Sequence, residues 1–216
     1  YSIENPKADI DGNVTGTFHM LEYAKEARVR HLMMASTSSV YGVNESLPFS
    51  ETDKADLQVS LYAATKKANE NMGHVYAHLW GLPVTMFRFF TVYGPWGRPD
   101  LALFKFVDAI LAGRPIDLYN NGEMYRDFTY IDDLVRALTL LIEVPPPAPD
   151  ARGAPVQGDS LSPVAPFRVV NVGNSTKVRL LDFVDAIEAE LGIPAKRNYL
   201  PMQPGDVPAT WADASL

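Results

Sequence analysis

A short apolar run that opens directly into a row of hydroxyl side chains most constrains how this chain can fold. Residues 32–34 (LMM) are apolar, and residues 35–39 (ASTSS) follow them at once. This pattern is typical of a buried strand whose carboxyl end reaches a polar surface. Ligands of open α/β sheets bind at that end of the strands. The sequence therefore predicts a parallel sheet with a binding site beside residues 35–39.

A tyrosine and a lysine, Tyr62 and Lys66, follow this row on a helix predicted at 61–80, which Gly81 and Pro83 end. Four residues apart, the two side chains point the same way, one turn apart. An ammonium beside a phenol favours the phenolate and lowers the tyrosine pKa from its free value of about 10. That makes a base usable near neutral pH. Such a pair alone is more often a helix face without chemistry, so the prediction depends on the strand before it.

Together, the strand, residues 40–42 (VYG) and the Tyr/Lys helix resemble the extended short-chain dehydrogenase/reductase superfamily, specifically its NAD-dependent nucleotide-sugar epimerases and dehydratases. The resemblance implies that Tyr62 is the catalytic base, that Lys66 tunes it and holds the nicotinamide ribose, and that Thr37 hydrogen-bonds the sugar hydroxyl that is oxidised. It implies NAD as the cofactor, bound also by Ser36, Phe89, Phe90 and Asn13. For Asn13, a role in starting or packing a helix is the alternative.

A second motif follows the strongly apolar strand predicted at 83–90. Residues 91–100 (TVYGPWGRPD) resemble the corresponding segment of UDP-glucuronate 4-epimerases. The resemblance places Thr91 and Arg98 on the sugar and its carboxylate, and a guanidinium is a planar donor fork that suits a carboxylate. The alternative is that Arg98 pairs with Asp100 and only holds the loop.

Three further positions match the part of the resembled family that binds UDP. Arg126, in the RDF segment, would contact the diphosphate, and Tyr119 would stack on uracil. Asp206, within residues 203–208 (QPGDVP), would accept hydrogen bonds from the uridine ribose. A structural pair between Arg126 and Asp127, and a plain packing role for Tyr119, are the alternatives.

The two hydroxyls after Thr37 bear on the reaction. Nucleotide-sugar dehydratases of the resembled family carry Asp-Glu there, and the related decarboxylases keep a Glu at the position of Ser39. Ser38 and Ser39 can donate hydrogen bonds to a carboxylate but cannot act as general acids or bases near neutral pH. We therefore expect a 4-epimerase that interconverts UDP-glucuronate and UDP-galacturonate. A UDP-glucose 4-epimerase, a UDP-glucuronate decarboxylase and a non-catalytic nucleotide-sugar-binding fragment remain the alternatives.

The expected fold class is α/β: a partial Rossmann-like parallel sheet, whose amino-terminal strands are missing, with a small α/β substrate-binding domain. Residues 1–95 would form the carboxyl-terminal part of the NAD-binding domain with the catalytic Tyr/Lys pair. Residues 96–216 would mainly bind the UDP-sugar, with a strand near 167–173 that can return to the Rossmann sheet. Seven of the seventeen prolines lie in 144–166, which predicts a flexible surface insertion.

The glycine-rich turn that holds the pyrophosphate in the resembled family does not occur in this sequence. The first residues (YSIENP) resemble the loop after the fourth strand of that fold. We therefore expect most of the adenosine and pyrophosphate site, and a few carboxyl-terminal elements, to be missing. The chain as written is expected to bind NAD poorly and to be inactive alone.

Composition excludes several kinds of partner. The net charge is −7 and no run of Lys or Arg stands out, which argues against nucleic acid. No apolar run approaches the ~20 residues that span a bilayer, and no signal peptide is visible at the start. With no cysteine there are no disulfides or cysteine-ligated metals, which matches a cytoplasmic location.

Two predictions concern the helix faces. His74 and His78 have a spacing that zinc ligands use, but no acidic residue lies between them, so we expect a solvated face and no metal site. By resemblance to the family, the helices at 13–27 and 61–80 would pair with those of a second copy. The expected assembly is a homodimer held by a four-helix bundle.

Overall fold

The fold was analysed in a computed structural model that describes residues 4–154, 156–203 and 206–216. Its helices are α1 (Pro6–Ile10), α2 (Gly16–Glu26), α3 (Leu61–Trp80), α4 (Ala102–Leu111), α5 (Ile131–Ile142) and α6 (Leu180–Leu191). A π-helical turn, Asp11–Thr15, joins α1 to α2. Its strands are β1 (Leu32–Ala35), β2 (Val84–Phe89), β3 (Thr91–Tyr93), β4 (Pro115–Leu118), β5 (Tyr125–Arg126), β6 (Phe128–Tyr130), β7 (Phe167–Val172), β8 (Val178–Arg179), β9 (Lys196–Tyr199) and β10 (Ala209–Thr210).

A three-stranded parallel sheet of β1, β2 and β7 forms one core of the structure, and β2 is its middle strand. Met86 lies opposite Met34 on one side and Val169 on the other. Because β2 is covered on both faces, its residues are buried over nearly its whole length, including the polar Thr85 and Arg88. The predicted parallel α/β architecture is confirmed.

Helices cover both faces of this sheet. On one face α2 and α3 pack through Leu21 and Ala77 against Met86, and on the other α5 packs through Leu134 against Val170. The bounds of α3 follow from its sequence. The hydroxyl of Ser60 accepts a hydrogen bond from the backbone N–H of Ala63, and a left-handed glycine ends the helix. Within the described ranges, no helix combines the length and apolarity needed to cross a bilayer.

A second core lies between α4, β4 and α6, where Ile116 and Leu118 pack against Val184. The Asn121-Gly122 dipeptide predicts a turn after β4. The turn is present, but β4 pairs in parallel with β9, while β5 pairs with β8 and β10. The dipeptide still makes a turn, but burial of the β4 side chains between the two helices selects the strand partner.

The proline-rich insertion is bonded to α3 and β7. The His74 Nε2 lies 2.7 Å from the Ser162 hydroxyl, and the His78 Nδ1 lies 3.0 Å from the Val164 carbonyl oxygen. Arg168 on β7 forms an ion pair with Asp159, with 2.8 Å between nitrogen and oxygen. The two histidines that were predicted to face only solvent therefore help to hold the insertion.

A buried ion pair links α3 to the centre of the sheet. Arg88 on β2 donates to both carboxylate oxygens of Glu70, from Nε at 2.9 Å and from Nη2 at 2.8 Å. Ser36, just after β1, donates to the same carboxylate at 2.7 Å. Burial raises the pKa of Glu70, but Arg88, Lys67 and Ser36 together outweigh burial, so the pKa lies below its ordinary value. Glu70 therefore stays ionised and ties α3 to two strands.

Replacing the Glu70 carboxylate tests how much it contributes to the free energy of unfolding. We expect Glu70→Gln to lower the free energy of unfolding by about 3–5 kcal/mol, because it leaves Arg88 as a buried charge without a counter-ion. Since the folded-state pKa of Glu70 is depressed, the stability difference should be full above about pH 4.3 and should shrink as the pH falls further. Urea unfolding measures it, with Asp108→Asn as the control because the pair of Asp108 with Arg114 is exposed. Equal stability of the two variants would contradict the prediction.

Candidate active site

The hydroxyl row forms a tight turn at the carboxyl end of β1. Thr37 is almost buried and caps a 3₁₀ turn, Ser38–Tyr41. Its Oγ1 accepts a hydrogen bond from the Ser39 backbone N–H and donates one to the Ser39 Oγ, both at 3.2 Å. The turn therefore presents several hydroxyls at the edge of the sheet where the sequence placed the site.

Gly42 ends this turn in a conformation that other residues resist. Its φ is +57°, and a Cβ there would lie 1.9 Å from the backbone oxygen of Leu57. The loop before α3 comes this close because its Gln58 side chain donates to the Val40 carbonyl at 3.0 Å. The glycine thus lets the hydroxyl turn and the start of α3 pack directly together.

The tyrosine and lysine lie in the first turns of α3, as predicted. The Tyr62 side chain is 36 % exposed, and Lys66 donates from Nζ to the Ala35 carbonyl oxygen at 3.2 Å. That bond places the ammonium at the carboxyl end of β1. Burial lowers the pKa of Lys66, and the negative charge of Asp9 partly opposes this.

Two residues that were predicted near the cofactor make internal contacts. Ser36 is buried, and its hydroxyl donates a hydrogen bond to Glu70. The Asn13 side-chain amide donates to Thr65 on α3 and to Asp9, both at 3.0 Å. Asn13 therefore joins the π-helical turn to the helix that carries the Tyr/Lys pair, which is the packing role considered above.

A cavity of about 490 Å³ opens beside the hydroxyl turn. It brings together nine of the predicted site residues, namely Thr37, Ser38, Ser39, Phe89, Phe90, Thr91, Arg98, Arg126 and Asp206. It also reaches Ser60, two residues before Tyr62. Tyr62, Lys66, Ser36, Asn13 and Tyr119 are not among the described residues that line it.

A second cavity of about 510 Å³ adjoins the first and extends between β3, α4 and β4. Tyr119 lines this second cavity. Thr91, Arg126 and Asp206 line both cavities, so the two form one continuous cleft. Its length and the guanidinium groups of Arg98, Arg114 and Arg126 suit an extended anionic ligand.

Arg98 and Arg126 line the first cavity, and each is held by a carboxylate. Arg98 pairs with Asp100 through two hydrogen bonds, one of them at 3.0 Å from Nε, which is the loop-holding contact considered above. Arg126 pairs with Asp206 at 2.8 Å rather than with Asp127. Burial lowers the pKa of Arg126, and Asp206 opposes this. Each guanidinium is thus oriented within the cleft by an acidic partner.

The buried Asp127 carboxylate holds the backbone beside Arg126, a role that the sequence did not indicate. Asp127 is fully buried, and its carboxylate accepts backbone N–H bonds from Asn174, Ser175 and Ala212 at 2.7, 3.0 and 3.1 Å. These bonds fasten the strand that follows Arg126 to two distant segments. The one signal in the sequence was a charged residue between two strand-forming segments, and it does not reveal the partners.

The described residues contain no group of three or more His, Asp or Glu side chains arranged to hold a metal ion. The cleft is lined by hydroxyls and by the guanidinium groups of Arg98, Arg114 and Arg126, while Tyr62 and Lys66 lie on the neighbouring helix α3.

The glycine at the end of the hydroxyl turn gives a direct test of this geometry. We expect Gly42→Ala to lower both stability and ligand binding, because the new methyl group collides with the Leu57 carbonyl and pushes the turn away from α3. Gly81→Ala is the control, because Gly81 also has a positive φ but nothing lies within 4 Å of its Cβ position. Backbone strain alone should cost the control about 1 kcal/mol. Thermal unfolding that is shifted equally in the two variants would contradict the clash.

Several known proteins are similar to this chain. The chain is 59% identical over 217 residues to a probable UDP-glucuronate 4-epimerase of Rhizobium meliloti (strain 1021), covering 100% of the chain and 63% of the relative. It is 45% identical to UDP-glucuronate 4-epimerase 1 of Arabidopsis thaliana, covering 100% of the chain and 50% of that protein. The chain thus spans between half and two thirds of the length of these relatives.

A solved structure is also similar. The crystal structure of the UDP-glucuronic acid 4-epimerase of Bacillus cereus with UDP-glucuronic acid and NAD superposes with a TM-score of 0.81 at 32% identity. The match covers 95% of this chain and 60% of that one. Residues 1–151 match the family described as the NAD dependent epimerase/dehydratase family. The chain therefore belongs to the NAD dependent epimerase/dehydratase family.

Proposed function

We propose that the protein containing this chain is a nucleotide-sugar 4-epimerase that interconverts UDP-glucuronate and UDP-galacturonate. The observation that carries the proposal is the bond from Lys66 to the last residue of β1, which brings the Tyr/Lys helix to the hydroxyl turn at the mouth of the cleft. Relatives and a solved neighbour that bear the name UDP-glucuronate 4-epimerase support it.

The residues at the end of β1 suit the nicotinamide ribose of NAD. The Lys66 ammonium makes one hydrogen bond to a described residue, so it has further protons to donate to a sugar diol. Phe89 and Phe90 line the cleft at the end of the neighbouring strand and offer apolar surface to a nicotinamide ring. When bound, NAD takes a hydride from the sugar C4 and returns it, so it acts as a catalytic cofactor.

The chain's own residues move the proton. Tyr62, as phenolate, removes the proton from the sugar 4-hydroxyl, while Thr37 hydrogen-bonds that oxygen. The 4-keto sugar would turn in the cleft, so that hydride returns to the opposite face of C4 while Tyr62 gives the proton back to the 4-oxygen.

Retention of the substrate carboxylate distinguishes this reaction from decarboxylation. Ser38, Ser39 and Thr91 line the same cavity as Arg98 and can donate hydrogen bonds to a carboxylate. In the binding step, the substrate carboxylate replaces the Asp100 carboxylate as the partner of Arg98. Charge-assisted bonds of this kind stabilise the carboxylate against loss as carbon dioxide.

The nucleotide part of the UDP-sugar would lie in the second cavity, which Tyr119 lines. Arg126 would contact the diphosphate, Tyr119 would stack on uracil and Asp206 would accept bonds from the ribose. The observation in favour is that Arg126 and Asp206 line both cavities, at the junction between the sugar side and the Tyr119 side. Residues 1–95 would then supply the cofactor side and residues 96–216 mainly the UDP-sugar side.

The test is turnover of UDP-glucuronate by the full-length protein. We expect UDP-galacturonate as the product, with little turnover of UDP-glucose. Tyr62→Phe should reduce kcat by at least about 100-fold, because it removes the acid–base group, while binding of the UDP-sugar stays close to normal. Nuclear magnetic resonance of the products and isothermal titration of the variant measure both. Release of carbon dioxide, or turnover of UDP-glucose alone, would show that the enzyme has one of the alternative activities. Binding of UDP-sugar without any turnover would indicate a non-catalytic protein.

We also propose that the protein is a homodimer held by α2 and α3. The support is the row of large apolar side chains that these helices leave exposed, namely Phe18, Met20, Tyr23, Val75, Leu79 and Trp80. Exposed apolar groups on two adjacent helices mark an association surface.

A charge placed on this surface tests the dimer. We expect Leu79→Asp to yield monomers of the full-length protein, because an aspartate cannot be buried there without a partner. Leu111→Asp on α4 is the matched control, since Leu111 is 60% exposed and Leu79 is 61% exposed. Light scattering during gel filtration measures the mass. A Leu79→Asp dimer, or equal dissociation of the two variants, would contradict the proposed interface.

A further inference from the structure

The most exposed large apolar side chain of the described residues lies beside the cleft. Trp96 is fully exposed, whereas the next most exposed of these side chains, Leu57, is 68% exposed. The indole of Trp96 therefore packs against no other described residue. Tryptophan carries one of the largest apolar surfaces of any side chain, and contact with a partner would remove much of that surface from water.

The backbone at Trp96 is strained. Residues 94–97 form a turn that the Gly97 N–H closes by donating to the Gly94 carbonyl oxygen at 3.2 Å. Trp96 is the third residue of this turn, and its φ is +61°. Glycine or asparagine normally fills that position, because a bulky side chain is strained at positive φ. Trp96 gains no packing in the described chain that would offset the strain, and strain of this kind is typical of functional sites.

Cleft-lining residues lie on both sides of this turn. Thr91 and Val92 on β3 lead into it, and both line the two cavities. Arg98, two residues after Trp96, lines the first cavity. Leu101 donates its backbone N–H to the Arg98 carbonyl oxygen at 3.2 Å and lines both cavities. Trp96 itself is not among the described residues that line the cleft, so its indole projects into solvent at the rim.

Both ends of the turn are fixed. A Cβ on Gly94 would lie 2.5 Å from the Ile131 side chain, and one on Gly97 would lie 2.7 Å from the Phe104 ring. The backbone at the two ends therefore packs directly on α5 and α4. A flip of the peptide between the two central residues converts a turn with positive φ at its third position into one with negative φ there, without moving its ends. Such a flip would relieve the strain and re-aim the indole.

We propose that Trp96 is a specificity-determining residue whose indole closes over the sugar ring of the bound nucleotide sugar. The proposal rests on the proposed function, in which Arg98 binds the carboxylate of that sugar. Arg98 lines the first cavity and not the second, so the sugar rather than the base lies nearest to this loop. The face of an indole ring is electron-rich and suits the C–H groups of a pyranose. A closed indole would also exclude water from the sugar.

The first test is the fluorescence of Trp96 in the full-length protein loaded with NAD. The Trp96 emission is the difference between the unsubstituted protein and Trp96→Phe. We expect UDP-glucuronate to shift this emission to shorter wavelength, because the indole leaves water. UDP, which lacks the sugar, should leave it unchanged. Trp80→Phe is the matched control, because Trp80 is 51% exposed on α3 and its removal should leave the ligand-dependent shift intact.

The second test separates binding from stability. Trp96→Gly removes the indole and places at positive φ the residue that tolerates it, so thermal unfolding should occur at the same or a higher temperature. The KM for UDP-glucuronate should nevertheless rise about ten-fold, while the inhibition constant of UDP stays within about two-fold. Trp96→Phe keeps an aromatic ring and should restore most of the affinity. Lower stability of Trp96→Gly with an unchanged KM would show that the role of Trp96 is only structural.

Several other results would overturn the role of Trp96. Emission already at short wavelength without ligand would show that another part of the full-length protein covers the indole, and a shift that follows protein concentration would show that a second copy does. No shift with UDP-glucuronate, or the same shift with UDP, would exclude contact with the sugar. Turnover of UDP-glucuronate without the shift would overturn this proposal alone. Binding of UDP-glucuronate with the shift but without turnover would overturn the proposed function alone.

Discussion

The bidentate ion pair between Arg88 and Glu70 is the contact on which the rest of the site depends. It is buried between α3 and the middle strand, and Ser36 adds the first strand to the same carboxylate. Glu70 lies one turn after Lys66, so a helix held at Glu70 also has its Tyr/Lys turn held at the carboxyl end of β1. The bond from Lys66 to the Ala35 carbonyl then completes the alignment. A rotation of α3 would break all three contacts together.

In the cleft, the guanidinium groups of Arg98 and Arg126 are each paired with an aspartate. Arg98 is largely exposed and is held by Asp100, whereas Arg126 is partly buried and is held by Asp206. An anionic ligand that binds either guanidinium would compete with its aspartate. Asp127 supplies the rigid support, because three backbone N–H bonds fix the strand behind Arg126. Anion binding in this cleft would then depend on exchange of partners rather than on bare positive charge.

Sequence patterns predicted the local elements well where one residue type has one physical use. The apolar runs at 32–34 and 83–90 became parallel strands, and the helix at 61–80 begins and ends where its capping residues indicate. Sequence patterns did not predict contacts between segments that lie far apart in the chain. The Asn-Gly dipeptide makes a turn, yet its flanking strands pair with other partners. The two histidines of α3 bond an insertion that begins about seventy residues further along the chain.

The sequence by itself determined the fold class, the strand-to-hydroxyl turn and the Tyr62/Lys66 pair, because period, capping and side-chain chemistry are local properties. Only the tertiary structure decided which charged groups form ion pairs. Glu70 with Arg88 and Arg126 with Asp206 join residues that lie 18 and 80 positions apart. Coulomb energy and desolvation depend on distance through space and on burial, and neither can be read from positions along the chain.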